Sequence, residues 1–299
     1  MSRKPGTQSA DVSIVVMIDG ELRPPGAQLV SVFDRGFLYG DSVFETIRTY
    51  GGVPFELKEH LGRLARSASL VFIELPVPLE TLEAEVLAAI AAANNPESYV
   101  RLMVTRGQGT LGLDPSLAER PLRVLIVQPL NLPARHHYEA GISAISYRTQ
   151  RQVDSTSAVG AKVGNYLVSV LAMREASRAG ALEALIVDGH GCVLEGGSSN
   201  VFLVQGGTLV TPDVSAGILA GITRAQVLAV APELGIRVEL RTPSLDEAHA
   251  ADELFISSSI RELMPVVRLD ERPIGAGRPG PVFARVLAAF RRRVGSTAV

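Results

Sequence analysis

A single cysteine, Cys192, stands among the 299 residues. A lone thiol cannot form an internal disulfide, and such scarcity suits a reducing cytoplasm. Excess positive charge is missing as well: the formal net charge is −2, so no basic field for nucleic acid is expected. No apolar run is long enough to span a bilayer, so no membrane segment is expected. The opening MSRKPGTQSADV lacks the apolar core of a signal peptide and predicts a flexible tail over residues 1–12. Low-complexity tracts and obvious repeats are absent. The histidines do not make a metal site by spacing. His136 and His137 are adjacent, while His60, His190 and His249 are scattered without cysteine or a paired carboxylate motif. No G-x-S-x-G elbow is present.

What remains is an ordinary globular composition, 46% hydrophobic and 20% charged, in a chain long enough to favour two domains. VSIVVMIDGELRP reads as two strands around an Asp-Gly turn, and SVFETIRTYGGVPFEL turns in the same way at Gly51 and Gly52. ELKEHLGRLARSASLV predicts a helix with Leu57, Leu61, Leu64 and Ala68 on one face. A second helix, PLETLEAEVLAAIAAANN, is closed by asparagines, and SYVRLMVTRG and PLRVLIVQPL read as strands. This half, residues 13–130, is expected to be a small α+β domain. Prolines and polar residues around 131–140 predict a linker. Residues 141–299 predict a larger β-rich domain, a curled sheet or barrel with helices outside. YLVSVLAMREASRAG reads as a core-facing helix ended by Gly180, TRAQVLAVAPELG as one ended by Gly235, and SLDE at Ser244 to Glu247 as a capping box. The fold class is therefore α/β, in the sense of two α+β domains.

GQGTLG, residues 107–112, matches G-x-G-x-x-G after a strand. A dinucleotide site needs a helix opening directly behind it and an acidic residue ending the next strand. The chain instead continues LDPSLAERP and then LRVLIVQ, so a glycine-rich loop is the better reading. On spacing alone, a plain turn and an active-site loop are equally good.

Lys162 sits among alanine, valine and glycine in AVGAKVGNYL. It is either an outward-pointing loop lysine or an amine able to approach a planar carbonyl ligand. GILAGITR runs from a glycine-rich turn into a helix at Thr223, whose start can bind phosphate or can simply be capped by the threonine. FISSSIREL ends a strand with three hydroxyls. Arg63 lies away from the apolar face of its helix, where solvation is the ordinary fate of an arginine. VLEGGSSNVF puts Glu195 at a strand tip beside glycines.

Taken in order, DRGFLYGDSVFETIR, EHLGRLARS, AKVGNYL, LEGGSSNVF, GILAGITR, ADELFISSSIRELMPV and IGAGRPGPV resemble the fold-type IV pyridoxal-phosphate enzymes. That family includes branched-chain amino acid aminotransferases, D-amino acid aminotransferases and aminodeoxychorismate lyases. The resemblance runs from about Met17 to the C-terminus and leans to the branched-chain type. It implies that Lys162 links covalently to pyridoxal 5'-phosphate and later moves the α-proton, which needs an amine that can be neutral. It implies that Glu195 pairs with the ring nitrogen, Tyr166 with the ring hydroxyl, and that Leu219 packs on the ring. Arg63, Ile222, Thr223 and Ser259 would hold the phosphate. The family more often has threonine where Ser259 stands; the hydroxyl is kept.

For substrate, the same resemblance implies an apolar wall at Phe44 and an α-carboxylate held by Tyr99 and the amides of Ser259 and Ile260. Arg101 and Tyr39 would take the side-chain carboxylate of glutamate, leaving the wall to leucine. Read without the family, YVRL is an alternating strand that places Tyr99 and Arg101 on one face whatever they do. The expected activity is transfer of the amino group of leucine, isoleucine or valine to 2-oxoglutarate by a ping-pong mechanism. The partners are small amino and 2-oxo acids. Tyr39 and the loop GQGTLGLDP match family elements that reach the neighbouring subunit, which implies a homodimer or higher homo-oligomer. The alternatives on this scaffold are a D-amino acid or (R)-amine transaminase, or an aminodeoxychorismate lyase. Outside enzymes, a nucleotide- or phosphate-binding regulatory protein that has lost its chemistry is the competing class; intact Lys162 and Glu195 argue against it.

Overall fold

The structure, a computed structural model, describes residues 13–27, 29–149 and 158–295, so the tail read over residues 1–12 lies outside the described residues. The chain divides into two compact units, Met1–Leu64 with Ile73–Asn131, and Ala65–Phe72 with Leu132–Val299.

The first unit is built on strands β1 (Val15–Ile18), β2 (Glu21–Arg23), β3 (Ser42–Tyr50), β4 (Val53–Pro54), β5 (Ser98–Thr105) and β6 (Leu122–Pro129), in the order β2-β1-β6-β5-β3-β4. Both expected hairpins form where the sequence supplies residues that tolerate positive φ. Asp19 and Gly20 stand at 51° and 84°, and Gly51 and Gly52 at 58° and 78°. Helix α1 spans Arg35–Tyr39, α2 Leu57–Leu70 and α3 Leu79–Ala93. The apolar face read on α2 is buried at Leu57, Leu61 and Leu64. α3 buries Leu82, Val86, Ala89, Ile90 and Ala93, and Asn94 closes it in the left-handed conformation. β5 alternates buried and half-buried residues, so Tyr99, Arg101 and Met103 share one face.

The second unit carries α4 (Arg135–Ala140), β7 (Ile142–Arg148), α5 (Leu167–Arg178), β8 (Glu183–Val187), β9 (Val193–Gly196), β10 (Asn200–Gln205), β11 (Thr208–Thr211), α6 (Ile222–Glu233), β12 (Val238–Leu240), α7 (Leu245–His249), β13 (Glu253–Ser258), β14 (Glu262–Leu269), β15 (Arg272–Pro273) and α8 (Pro281–Val294). The strand order is β12-β11-β10-β13-β14-β7-β8-β9, with β15 on β14. This order forces curvature. β9 ends at Gly196 and β10 begins at Asn200, a link that reaches about 14 Å at most. Laid flat, their five strand spacings would separate them by about 24 Å. The sheet therefore curls into a half-barrel, and Gly196 bridges directly to Ser199. One face packs Leu185, Val187, Val201, Leu203, Leu254 and Ile256 into a core. On the other, α5 lays Ala172 and Ala176 against Ala184 and Ile186.

Three local readings change. The helix expected to face a core with its apolar residues does so through Ala172 and Ala176, with Met173 partly buried beside them; Leu167, Val168, Val170 and Leu171 of its first turn and a half are exposed. Small side chains let the helix axis approach the sheet, and the bulkier ones stay outside. The stretch read as a linker, 131–140, contains α4, which buries Tyr138. The phosphate-end helix begins one residue early, at Ile222. The capping box forms as read: Glu247 N donates to Ser244 Oγ at 3.1 Å and Ser244 N to Glu247 Oε2 at 2.8 Å.

Candidate active site

The predicted residues fall into two groups, one in each unit. In the second unit, half-buried Lys162 lies just before α5. Its Nζ is 3.1 Å from the hydroxyl of Tyr166, and its amide donates to Ser67 Oγ at 3.1 Å. The backbone is thus pinned, and the amine lies within hydrogen-bond reach of a phenol. Glu195 sits on β9 opposite Ile186, and its Oε2 accepts from the Leu219 amide at 3.1 Å. Asn200 Nδ2 donates to the Leu219 carbonyl at 2.9 Å. The peptide at Leu219 is therefore fixed on both sides. Gly221, the residue before α6, leaves room for Asn200: a Cβ there would lie 1.9 Å from Asn200 Oδ1 and force that side chain to shift. It caps α6 without a side-chain bond, so Ile222 and Thr223 open the helix with their amide ends not bonded by the capping residue's side chain. Ser259 and Ile260 occupy the turn between β13 and β14, where Ser258 pairs with Glu262.

This set fits pyridoxal phosphate by its chemistry. A primary amine, a carboxylate and a phenol could serve an aldehyde-bearing pyridine ring, and the start of a 12-residue helix with the Thr223 hydroxyl could serve a dianionic phosphate.

In the first unit, Phe44 on β3 lies opposite Met103, and Thr46 opposite Arg101. Phe44 and Arg101 therefore project from one face, and the Arg101 guanidinium carbon stands 3.8 Å from the Phe44 ring centroid. Tyr99 is on that face as well. Tyr39, at the end of α1, accepts at its hydroxyl from the Gly112 amide, 3.2 Å away. Arg35 donates to the carbonyls of Gly112 and Leu113 and lies over the Tyr39 ring. Tyr39 and the glycine-rich loop thus form one body.

Arg63 departs from its expected solvated place: it is 5% exposed. Its Nε and Nη2 donate to Glu45 Oε1 and Oε2 at 2.8 and 2.7 Å, and His60 Nδ1 lies 2.7 Å from Glu45 Oε2. Burial by itself would raise the Glu45 carboxyl, but the bonds from Arg63 and His60 outweigh it and lower the pKa to about 2. Glu45 follows Phe44 in β3, so it points to the opposite face of the sheet and takes Arg63 away from Arg101.

Several neighbours of the predicted residues escaped the sequence reading: Ser67, Asn200, Glu45 and His60. All four stand inside the quoted motifs, and the strand alternation of SVFETIR already separates Glu45 from Phe44. Their partners are distant in sequence, which no local pattern marks. Among the described residues, no cluster of histidine, cysteine or carboxylates could hold a metal, and no helix is long and apolar enough to cross a membrane.

Residues 42–269 match the family of class IV amino-transferases. A putative branched-chain-amino-acid aminotransferase of Methanocaldococcus jannaschii is 42% identical over 88% of this chain and 90% of its own. A D-alanine aminotransferase of Bacillus licheniformis is 32% identical over 93% of this chain and 96% of its own. Among solved structures, the crystal structure of an Escherichia coli branched-chain amino acid aminotransferase superposes with a TM-score of 0.89 at 32% identity, over 95% of this chain and 96% of its own.

Proposed function

The chain belongs to the class IV aminotransferases and has their fold-type IV architecture, and from that premise we propose that it moves the amino group of branched-chain L-amino acids to 2-oxoglutarate. The cofactor would be pyridoxal 5'-phosphate, the setting the cytoplasm, and the assembly a homodimer or larger homo-oligomer. One observation carries the substrate reading: the guanidinium of Arg101 rests on the ring of Phe44. An apolar surface and a cation at one place suit both a leucine and a glutamate side chain.

When bound, pyridoxal phosphate supplies an electrophilic carbonyl and an electron sink. Lys162 Nζ would take the substrate's Cα proton and return it, which requires the neutral amine. Tyr166, as its hydrogen-bond partner, orients that nitrogen and would face the ring hydroxyl. The Glu195 carboxylate would keep the ring nitrogen protonated, and Leu219 would pack on the ring. The Ile222 amide, the Thr223 and Ser259 hydroxyls and Arg63 would hold the phosphate. Tyr99 and the amides of Ser259 and Ile260 would bind the α-carboxylate, and Arg101 with Tyr39 the side-chain carboxylate of glutamate. Exposed Phe37, Leu113, Leu167 and Val170, between 59% and 80% accessible, support a partner subunit.

A D-amino acid transaminase is the second reading, favoured by the likeness to the Bacillus licheniformis enzyme along nearly the whole chain. Single-turnover absorbance with L-leucine, L-glutamate, D-alanine and (R)-1-phenylethylamine separates the two. The proposal expects the two L-amino acids to react and the others to lag far behind; preference for D-alanine would replace it. Lys162→Ala should bind pyridoxal phosphate without a borohydride-fixable link and lose transamination by several orders of magnitude.

A further inference from the structure

Glu183 opens β8 with its side chain fully shielded from solvent, and no step assigned above uses it. An ionised carboxylate in such a place is costly unless its lone pairs are engaged. Oε1 accepts from the amides of Gly197 and Ala184 at 3.1 and 3.0 Å. Oε2 accepts from the Ser199 hydroxyl at 2.9 Å and from Arg261 Nη2 at 2.6 Å. Arg261 Nη2 also donates to Ser198 Oγ at 3.1 Å, while the Arg261 amide and Nε reach Ser258 Oγ at 3.2 and 3.4 Å.

These contacts fall on two turns. Residues 197–199 follow Gly196, the residue after Glu195, and residues 259–261 carry Ser259 and Ile260 between β13 and β14. Gly196 permits the packing: a Cβ there would lie 2.1 Å from Ser199 Oγ and 3.1 Å from Glu183 Cδ.

We propose that Glu183 and Arg261 are a positioning pair that clamps the Ser259–Ile260 turn to the turn behind Glu195. The pair thereby sets the spacing between the anion contacts of the site and its ring-nitrogen contact. This rests on the roles assigned to Glu195, Ser259 and Ile260 under the proposed function. The clamped contacts serve the phosphate and the α-carboxylate, which every substrate shares. Its loss therefore falls equally on all substrates, unlike the loss of Arg101.

The test compares wild-type holoenzyme with Arg261→Met, Glu183→Gln and the double variant. Arg261→Met should raise KM for L-leucine, L-glutamate and their 2-oxo acids together, and weaken pyridoxal-phosphate affinity in a fluorescence titration, each by roughly tenfold, with kcat little changed. Removing one charge of a buried pair destabilises strongly, whereas removing both is far milder. The double variant should therefore regain thermal stability and keep the raised KM. Recovery of KM along with stability would make the pair merely structural and overturn the clamp. So would unchanged KM and cofactor affinity in Arg261→Met beside a wild type that binds the cofactor normally. A wild type that binds no pyridoxal phosphate would overturn the functional reading, and the clamp with it.

Discussion

Arg63 and Arg101 belong to the same unit and are treated oppositely. Arg63 is buried, with two nitrogens on one carboxylate that also meets His60. Arg101 lies on an aromatic ring, and no carboxylate among the described residues bonds it. A guanidinium neutralised inside the protein is a fixed part, oriented by its fork and worth the same to every ligand. One resting on a ring keeps its charge for an incoming carboxylate and offers an apolar surface when none arrives. On the proposed function, Arg63 would support all chemistry alike and Arg101 would discriminate between side chains.

The largest expected effect breaks the neutralised side. Glu45→Ala would leave Arg63 buried without its carboxylate, a loss of about 3–5 kcal/mol, read as a lower denaturation midpoint. Both L-leucine and L-glutamate half-reactions should slow together; damage confined to glutamate would reverse the contrast. Next comes Arg101→Leu. A charge-assisted contact is worth about 1.5–3 kcal/mol, or roughly tenfold to over a hundredfold. The glutamate half-reaction should fall by that order while leucine stays within a few-fold, and equal losses would assign Arg101 to the α-carboxylate. Phe44→Leu sharpens the comparison further. It keeps an apolar wall but removes the ring under Arg101, so the glutamate rate should drop about twofold to tenfold relative to leucine.

The smallest effect at working pH is acidic. Glu45 titrates at about 2 in the folded protein, below its ordinary value of 4.5. A lowered folded pKa means its contribution is whole above about pH 4.5 and is lost as pH falls toward about 2. Stability of wild type should therefore decline more steeply through that window than stability of Glu45→Gln. Parallel curves would show that the carboxylate is not held as described.

The elements were largely legible because their signals are local. Asp19-Gly20 and Gly51-Gly52 demand positive φ, Ser244 and Glu247 cap one turn, and Leu57, Leu61 and Leu64 recur at helical spacing. The alternation of β5 by itself puts Tyr99 and Arg101 on one face. What stayed hidden depends on partners far along the chain. Helical periodicity could place Arg63 off the apolar stripe, yet its environment is decided by a strand residue 18 positions away. Glu183 and Arg261 meet across 78 positions. The α5 error had another cause: apolar content cannot tell a helix that buries its leucines from one that buries only Ala172 and Ala176.

On the proposed function one surface serves both an aliphatic and a carboxylate side chain. The decisive measurement is inhibition of the L-leucine and L-glutamate half-reactions of the wild-type enzyme with 4-methylvalerate and with glutarate. Each inhibitor should compete with both amino acids and show one inhibition constant against either. Inhibitors that each block only the amino acid they resemble, or a protein inert to glutamate, would contradict it.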